Sequence, residues 1–162
     1  MESFDRLRPE SRIWIFQSRT TLTSEILAGI AERARAFIAQ WKSHGADVAA
    51  GFTLAYNHFL IVALDEAVTS AGGCSIDTLL KFVQGLEKEF GLSLLDRMNI
   101  AWEQDGQVHT AGMGAFEELL DTGKLSGQTL VFNNLVKTKA DLIGNWKIPL
   151  LKSWHSRLMK VK

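Results

Sequence analysis

One cysteine, two prolines and one tyrosine stand among 162 residues, and the formal net charge is zero. A lone thiol, Cys74, excludes an intrachain disulfide, so nothing points to a secreted, cross-linked scaffold. With so little proline and 46% hydrophobic residues, the chain is not a disordered or proline-rich one. No apolar run approaches the roughly 20 residues that a bilayer span requires, so no membrane contact is expected. The start, Met1 to Arg6, shows no basic-then-apolar leader pattern. These absences predict a soluble cytoplasmic protein. Its length suits a single domain over residues 1–162, with a core that needs no cross-link or metal.

Nucleotide loops are missing as well. Gly123-Lys124-Leu125 lacks the earlier glycine and the hydroxyl of a lysine-bearing phosphate loop, and Gly112-Met113-Gly114 runs on without a third glycine. His44, His58, His109 and His155 have no ligand spacing, and a single cysteine allows no zinc pattern. No metal and no cofactor are expected.

What is present is first an uneven charge. From Lys137 onward seven basic residues meet a single acid, Asp141, so this end carries +6 and the preceding 136 residues −6. Interleaved with Trp146, Trp154 and His155, such an end could touch nucleic acid. A binder dedicated to nucleic acid is usually basic overall, so a packed amphipathic C-terminus is the preferred reading.

Periodicity marks the elements. Residues 11–18 (S-R-I-W-I-F-Q-S) read as a strand apolar on both faces. Thr23 caps a helix reaching about Ser43, with Leu22 and Leu27 as a hydrophobic staple and Gly45 as the stop. Val48 to Tyr56 alternates like an edge strand, Asn57-His58 turns, and Phe59 to Leu64 is uniformly apolar. Ser75 is placed to cap a second helix that Gly91 ends. Met98 to Glu103 alternates, Asp105-Gly106 signals a hairpin into Gln107–Thr110, and a short helix spans Met113 to Asp121. Thr129–Phe132 reads as a strand, and the remainder as helical pieces.

The first six elements run strand, helix, strand, strand, helix, strand. This is the split βαβ order of an α+β, ferredoxin-like antiparallel sheet, here with an extra hairpin and a C-terminal extension. Strand order 4-1-3-2 is expected. Helices on one face would leave Trp14, Phe16 and half of the third strand needing cover, from the C-terminal third or from a homodimer through the sheet face.

Candidate chemistry gathers at one end of that sheet. Cys74, Ser75 and Asp77 open the second helix, where a helix N-terminus favours thiolate. Asp65 and Glu66 end the third strand, a carboxylate pair suited to acid–base work or a divalent cation. The bland alternatives are a buried, inert thiol and solvated strand-end charges. Asn133, Asn134 and His155 are further candidate ligand contacts, with turn or capping roles as their alternative.

S-R-I-W-I-F-Q-S (11–18), Gly73 to Asp77, Asp96-Arg97-Met98, Val131 to Val136, Trp146 to Leu150 and Ser153-Trp154-His155 together resemble an uncharacterised family of small soluble bacterial proteins. Some of its members carry the label "ABC transporter ATPase". The resemblance implies no catalytic residue, and the missing phosphate loop implies no ATPase. The preferred reading is a non-catalytic interaction module that self-associates through its sheet. The alternatives are a small enzyme or redox sensor using Cys74, and a nucleic-acid accessory protein using the basic C-terminus.

Overall fold

The computed structural model describes residues 4–43, 46–47, 49–67 and 72–160. It is an α+β protein with two compact units, Met1–Leu95 with Lys137–Ala140, and Asp96–Val136 with Asp141–Lys162. Among the described residues no helix is long and apolar enough to cross a membrane. Gly45, and with it the expected helix stop, lies outside the described residues.

In the first unit, β1 (Arg12–Gln17) leads to α1 (Ser24–Gln40), whose Thr23 cap accepts from the Ile26 N–H at 3.2 Å. The helix stops at Gln40, earlier than periodicity suggests, because Trp41 leaves it for the core. Its indole Nε1 donates to the Ser75 carbonyl at 3.0 Å, and its ring meets Trp14 and Phe37. A two-rung ladder follows, β2 (Lys42–Ser43) against β3 (Ala46–Asp47). Then β4 (Ala50–Ala55) and β5 (Phe59–Leu64) form a hairpin turning on Tyr56 and Asn57, both at positive φ. Asn tolerates that region well and Tyr rarely does.

The sheet order is β1-β5-β4, all antiparallel, with Trp14 and Phe52 both opposite Val62. Every residue of β5 is buried. Trp14 and Phe16 turn out to face the helices, packing with Leu60, Val62 and Leu64 against α1 and α2 (Gly73–Phe90). The opposite parity, Ile13, Phe59, Ile61 and Ala63, is buried too. Close approach of the helices rests on Gly29 in α1, because a Cβ there would lie 2.7 Å from the Phe90 ring. A Gly91 with φ of 65° ends α2, as expected.

The ferredoxin-like order is not completed. Residues 98–103, expected beside β1, instead form β6 (Asn99–Gln104) in a second sheet. The reason is local. Asp105 and Gly106, both at positive φ, fold β7 (Gln107–Gly112) onto one edge of β6. The other edge is taken by β8 (Leu130–Phe132). The free side of β1 carries a later segment instead: Ile13 N donates to the Lys137 carbonyl at 3.0 Å, and Lys139 N to that of Ser11 at 2.9 Å.

In the second unit α3 (Met113–Asp121) packs Phe116 onto Ile100, Trp102 and Val131. The chain then passes through α4 (Lys139–Asn145) to β9 (Lys147–Pro149), giving the order β7-β6-β8-β9. So the C-terminal segment contributes a strand and 3-10 turns as well as helix. Trp146 is buried against Phe132, and Trp154 is half-buried and stacked on His155.

Truncation after Phe132 removes β9, the buried Leu150 and the segment beside β1. The truncated chain is expected to aggregate or lose cooperative thermal unfolding, checked by light scattering and calorimetry. A soluble, cooperative product would make residues 133–162 a detachable arm.

Candidate functional site

The carboxylate at the end of β5 is a tether. Asp65 is 8% exposed and accepts both Nε and Nη2 of Arg8 at 2.9 Å, and the Ala67 N–H at 2.9 Å. The Arg8 hydrogen bonds, with the Ala67 N–H, hold its carboxyl below the usual carboxylate range. A carboxylate pinned as an anion is poor at exchanging protons near neutrality. Glu66 is exposed and lies 4.0 Å from Arg12, whose guanidinium covers the Trp14 ring at 4.7 Å. The two neighbours thus take different arginines.

At the start of α2 the expected buried thiol is exposed. The helix begins one residue before Cys74, with Gly72 as cap, so Ser75 is not the cap. Ser75 is buried and its Oγ donates back to the Gly72 carbonyl at 2.8 Å. Successive helical residues are about 100° apart, so turning Ser75 inward turns Cys74 out. Asp77, beyond the first turn, pairs with Lys81 at 3.1 Å. Ser75 therefore faces the core, while Cys74 and Asp77 are both exposed.

The candidates of the second unit are braces. Asn133 Oδ1 accepts from Leu135 N at 3.2 Å, and Asn134 Oδ1 from the Trp146 indole at 2.9 Å. His155 is 1% exposed, with its Nδ1 at 2.6 Å from the Ser153 hydroxyl and its ring stacked on Trp154 at 3.9 Å. Burial lowers its pKa to about 4, so the imidazole is neutral at physiological pH. His58 is a turn residue, its Nδ1 at 3.0 Å from the Tyr56 carbonyl.

Several of the tail's cations are already engaged. Lys139 Nζ donates to the Asp5 and Leu7 carbonyls at 2.9 and 2.7 Å. Lys147 pairs with Glu103 at 3.2 Å, and Lys160 with Asp121 at 3.0 Å. Among the described residues no cluster of three His, Cys, Asp or Glu side chains could hold a metal ion.

Two residues passed over by sequence reasoning stand out. Arg8 carries no local signal for its partner 57 positions away. Trp102 is 5% exposed, stacked on His109 at 5.8 Å, and its buried Nε1 meets no acceptor. The Trp102–His109 pairing was readable, since a two-residue turn at Asp105-Gly106 puts them opposite each other. No family model, curated protein or solved structure matches this chain.

His155 sets an acid limit on stability. Its pKa falls from 6.5 unfolded to about 4 folded, so the unfolded chain binds the proton first. The stabilisation is complete above about pH 6.5 and is lost between there and pH 4, roughly 3 kcal/mol in all. Denaturant melts across that window are expected to show the slope, and His155→Phe to flatten it. The Asp65 tether behaves differently. A lowered carboxyl pKa stabilises above the unfolded value, so its contribution disappears only below about pH 4.

Proposed function

We propose that this protein is a non-catalytic interaction module that works by strand addition at the outer edge of β7. The observation that carries this reading is the contrast between the two edges of the second sheet. β9 is three residues long and carries Lys147 and Pro149, two devices that discourage another strand. β7 is six residues of Gln-Val-His-Thr-Ala-Gly, without charge or proline, and its side chains are exposed or half-buried. An unguarded edge of this length is a template for main-chain hydrogen bonding.

The reading moves the self-association from a sheet face to a sheet edge. Residues on both faces of β5 are buried, whereas β7 borders its sheet among the described residues. On the same proposal the protein is cytoplasmic, and its first unit is an incomplete ferredoxin-like arrangement.

Hydrogen exchange tests the edge. Amides of residues 107–112 are expected to exchange more slowly in concentrated than in dilute protein, and the guard substitution Val108→Lys to abolish the difference. Unchanged exchange in that strand at every concentration would end the proposal.

The exposure of Cys74 favours a second reading, a thiol-based redox sensor. Native protein is expected to label at Cys74 without unfolding, and Cys74→Ser to leave Tm within about a degree. Labelling far faster than a free thiol at neutral pH would promote the sensor reading.

A further inference from the structure

We infer that residues 153–160 form an acid-sensitive latch, in which charging the buried His155 releases this segment from α3 and the sheet beneath it. The latch is independent of the edge of β7.

The attachment of the segment changes character at Ser153. Just before it, Leu150 N and Leu151 N donate to the Thr129 and Gly127 carbonyls at 2.8 and 3.0 Å. Leu151 also packs so closely on Gly127 that a Cβ there would lie 2.5 Å from its Cγ. Beyond that point, among the described residues, the main-chain hydrogen bonds close within the tail itself. Ser153 N donates to the Leu150 carbonyl, Ser156 N to that of Ser153 and Met159 N to that of Ser156. Side chains alone therefore hold this stretch to the second unit. Trp154, Leu158 and Met159 are half-buried against the cluster that contains Ile100, Trp102, Phe116 and Val131. Exposed Lys160 pairs with Asp121 at 3.0 Å, a contact of the kind that contributes little. The deepest anchor is His155, 1% exposed, with its ring centroid 6.1 Å from that of Phe116.

That anchor is titratable. Its polar contact is the Ser153 hydroxyl, 2.6 Å from Nδ1. Protonation makes both ring nitrogens donors, and one neutral hydroxyl can accept from only one of them. The charged groups on the packed elements are Glu117, Glu118 and Asp121 of α3, and Lys152, Arg157 and Lys160 of the tail. Glu117 and Asp121 act on Lys160, and burial is the sole cause that moves His155, so none of these groups compensates an imidazolium. His109 meets the Trp102 ring rather than His155. A charged ring therefore gains by reaching water, and opening the segment lets it do so without breaking a sheet ladder. The histidine pKa is 6.5 outside and about 4 inside, so the closed form is fully favoured above about pH 6.5 and loses that advantage as pH falls towards 4. The ratio of open to closed segment rises about 20-fold from pH 7 to pH 5. Opening bares Phe116, which is 0% exposed under the closed latch, and so converts acid pH into an exposed apolar face.

Hydrogen exchange of the full chain at pH 7 and pH 5, expressed as protection factors, tests the latch. Protection of residues 153–160 is expected to lie below that of β6 at both pH values and to fall about 20-fold between them. It is also expected to be insensitive to about 1 M urea, which lowers the protection of β6. Ordinary carboxylates stay largely charged across this window. His155→Phe is expected to abolish the fall, which separates His155 from the other histidines. Leu158→Ala is expected to lower protection by the same factor at both pH values, because it loosens the packing without touching the titration. Equal protection of 153–160 at the two pH values overturns the proposal. So does a fall that occurs only together with β6 and with the same urea dependence, or one that persists in His155→Phe. If His155→Phe does not fold, the wild-type urea response and the unchanged ratio in Leu158→Ala carry the test.

Discussion

Burial of β5 on both of its faces is the constraint from which the first unit follows. Six consecutive apolar residues, Phe59 to Leu64, lose water completely and pair along both edges. Each such side chain contributes roughly 1.5–3 kcal/mol, so this one strand supplies a large part of the drive to fold. A strand apolar on both faces needs cover on both. The even positions receive α1 and α2, with Trp41 joining the end of one helix to the start of the other.

Charged groups around this core act mainly as fasteners. Arg8 and Asp65 join the N-terminal segment to the end of β5. Lys139 holds the carbonyls of Asp5 and Leu7. Both contacts bridge long stretches of chain, and both use groups that in sequence look available for binding or proton transfer. The first is an ion pair whose arginine is half exposed, and the second is a lysine donating to backbone carbonyls. Their worth lies in where they pin the chain.

The edges of the sheets show where the protein stays open. The free side of β1 is covered by residues 137–139, and β9 is short, cationic and proline-bearing. β7 has none of these protections. Among the described residues no further strand is paired to its outer side. That is the physical basis for reading it as an interaction module.

Local rules located what local forces decide. Phe59–Leu64, the Thr23 cap, the Asp105-Gly106 hairpin and the helix Met113–Asp121 were legible because each depends on neighbours within a few residues. The α+β class followed from their order. Tertiary structure decided the rest. Whether residues 99–104 joined β1 depended on competition with β7 and β8 for the same edges. Whether Cys74 or Ser75 faced inward depended on a helix start three residues earlier than the serine cap implied. Asp65 looked like an acid–base candidate until Arg8, distant in sequence, was brought against it. Composition and periodicity determine which segments are strands and helices; only long-range closure, with its entropy cost and its choice among alternative partners, determines which of them meet.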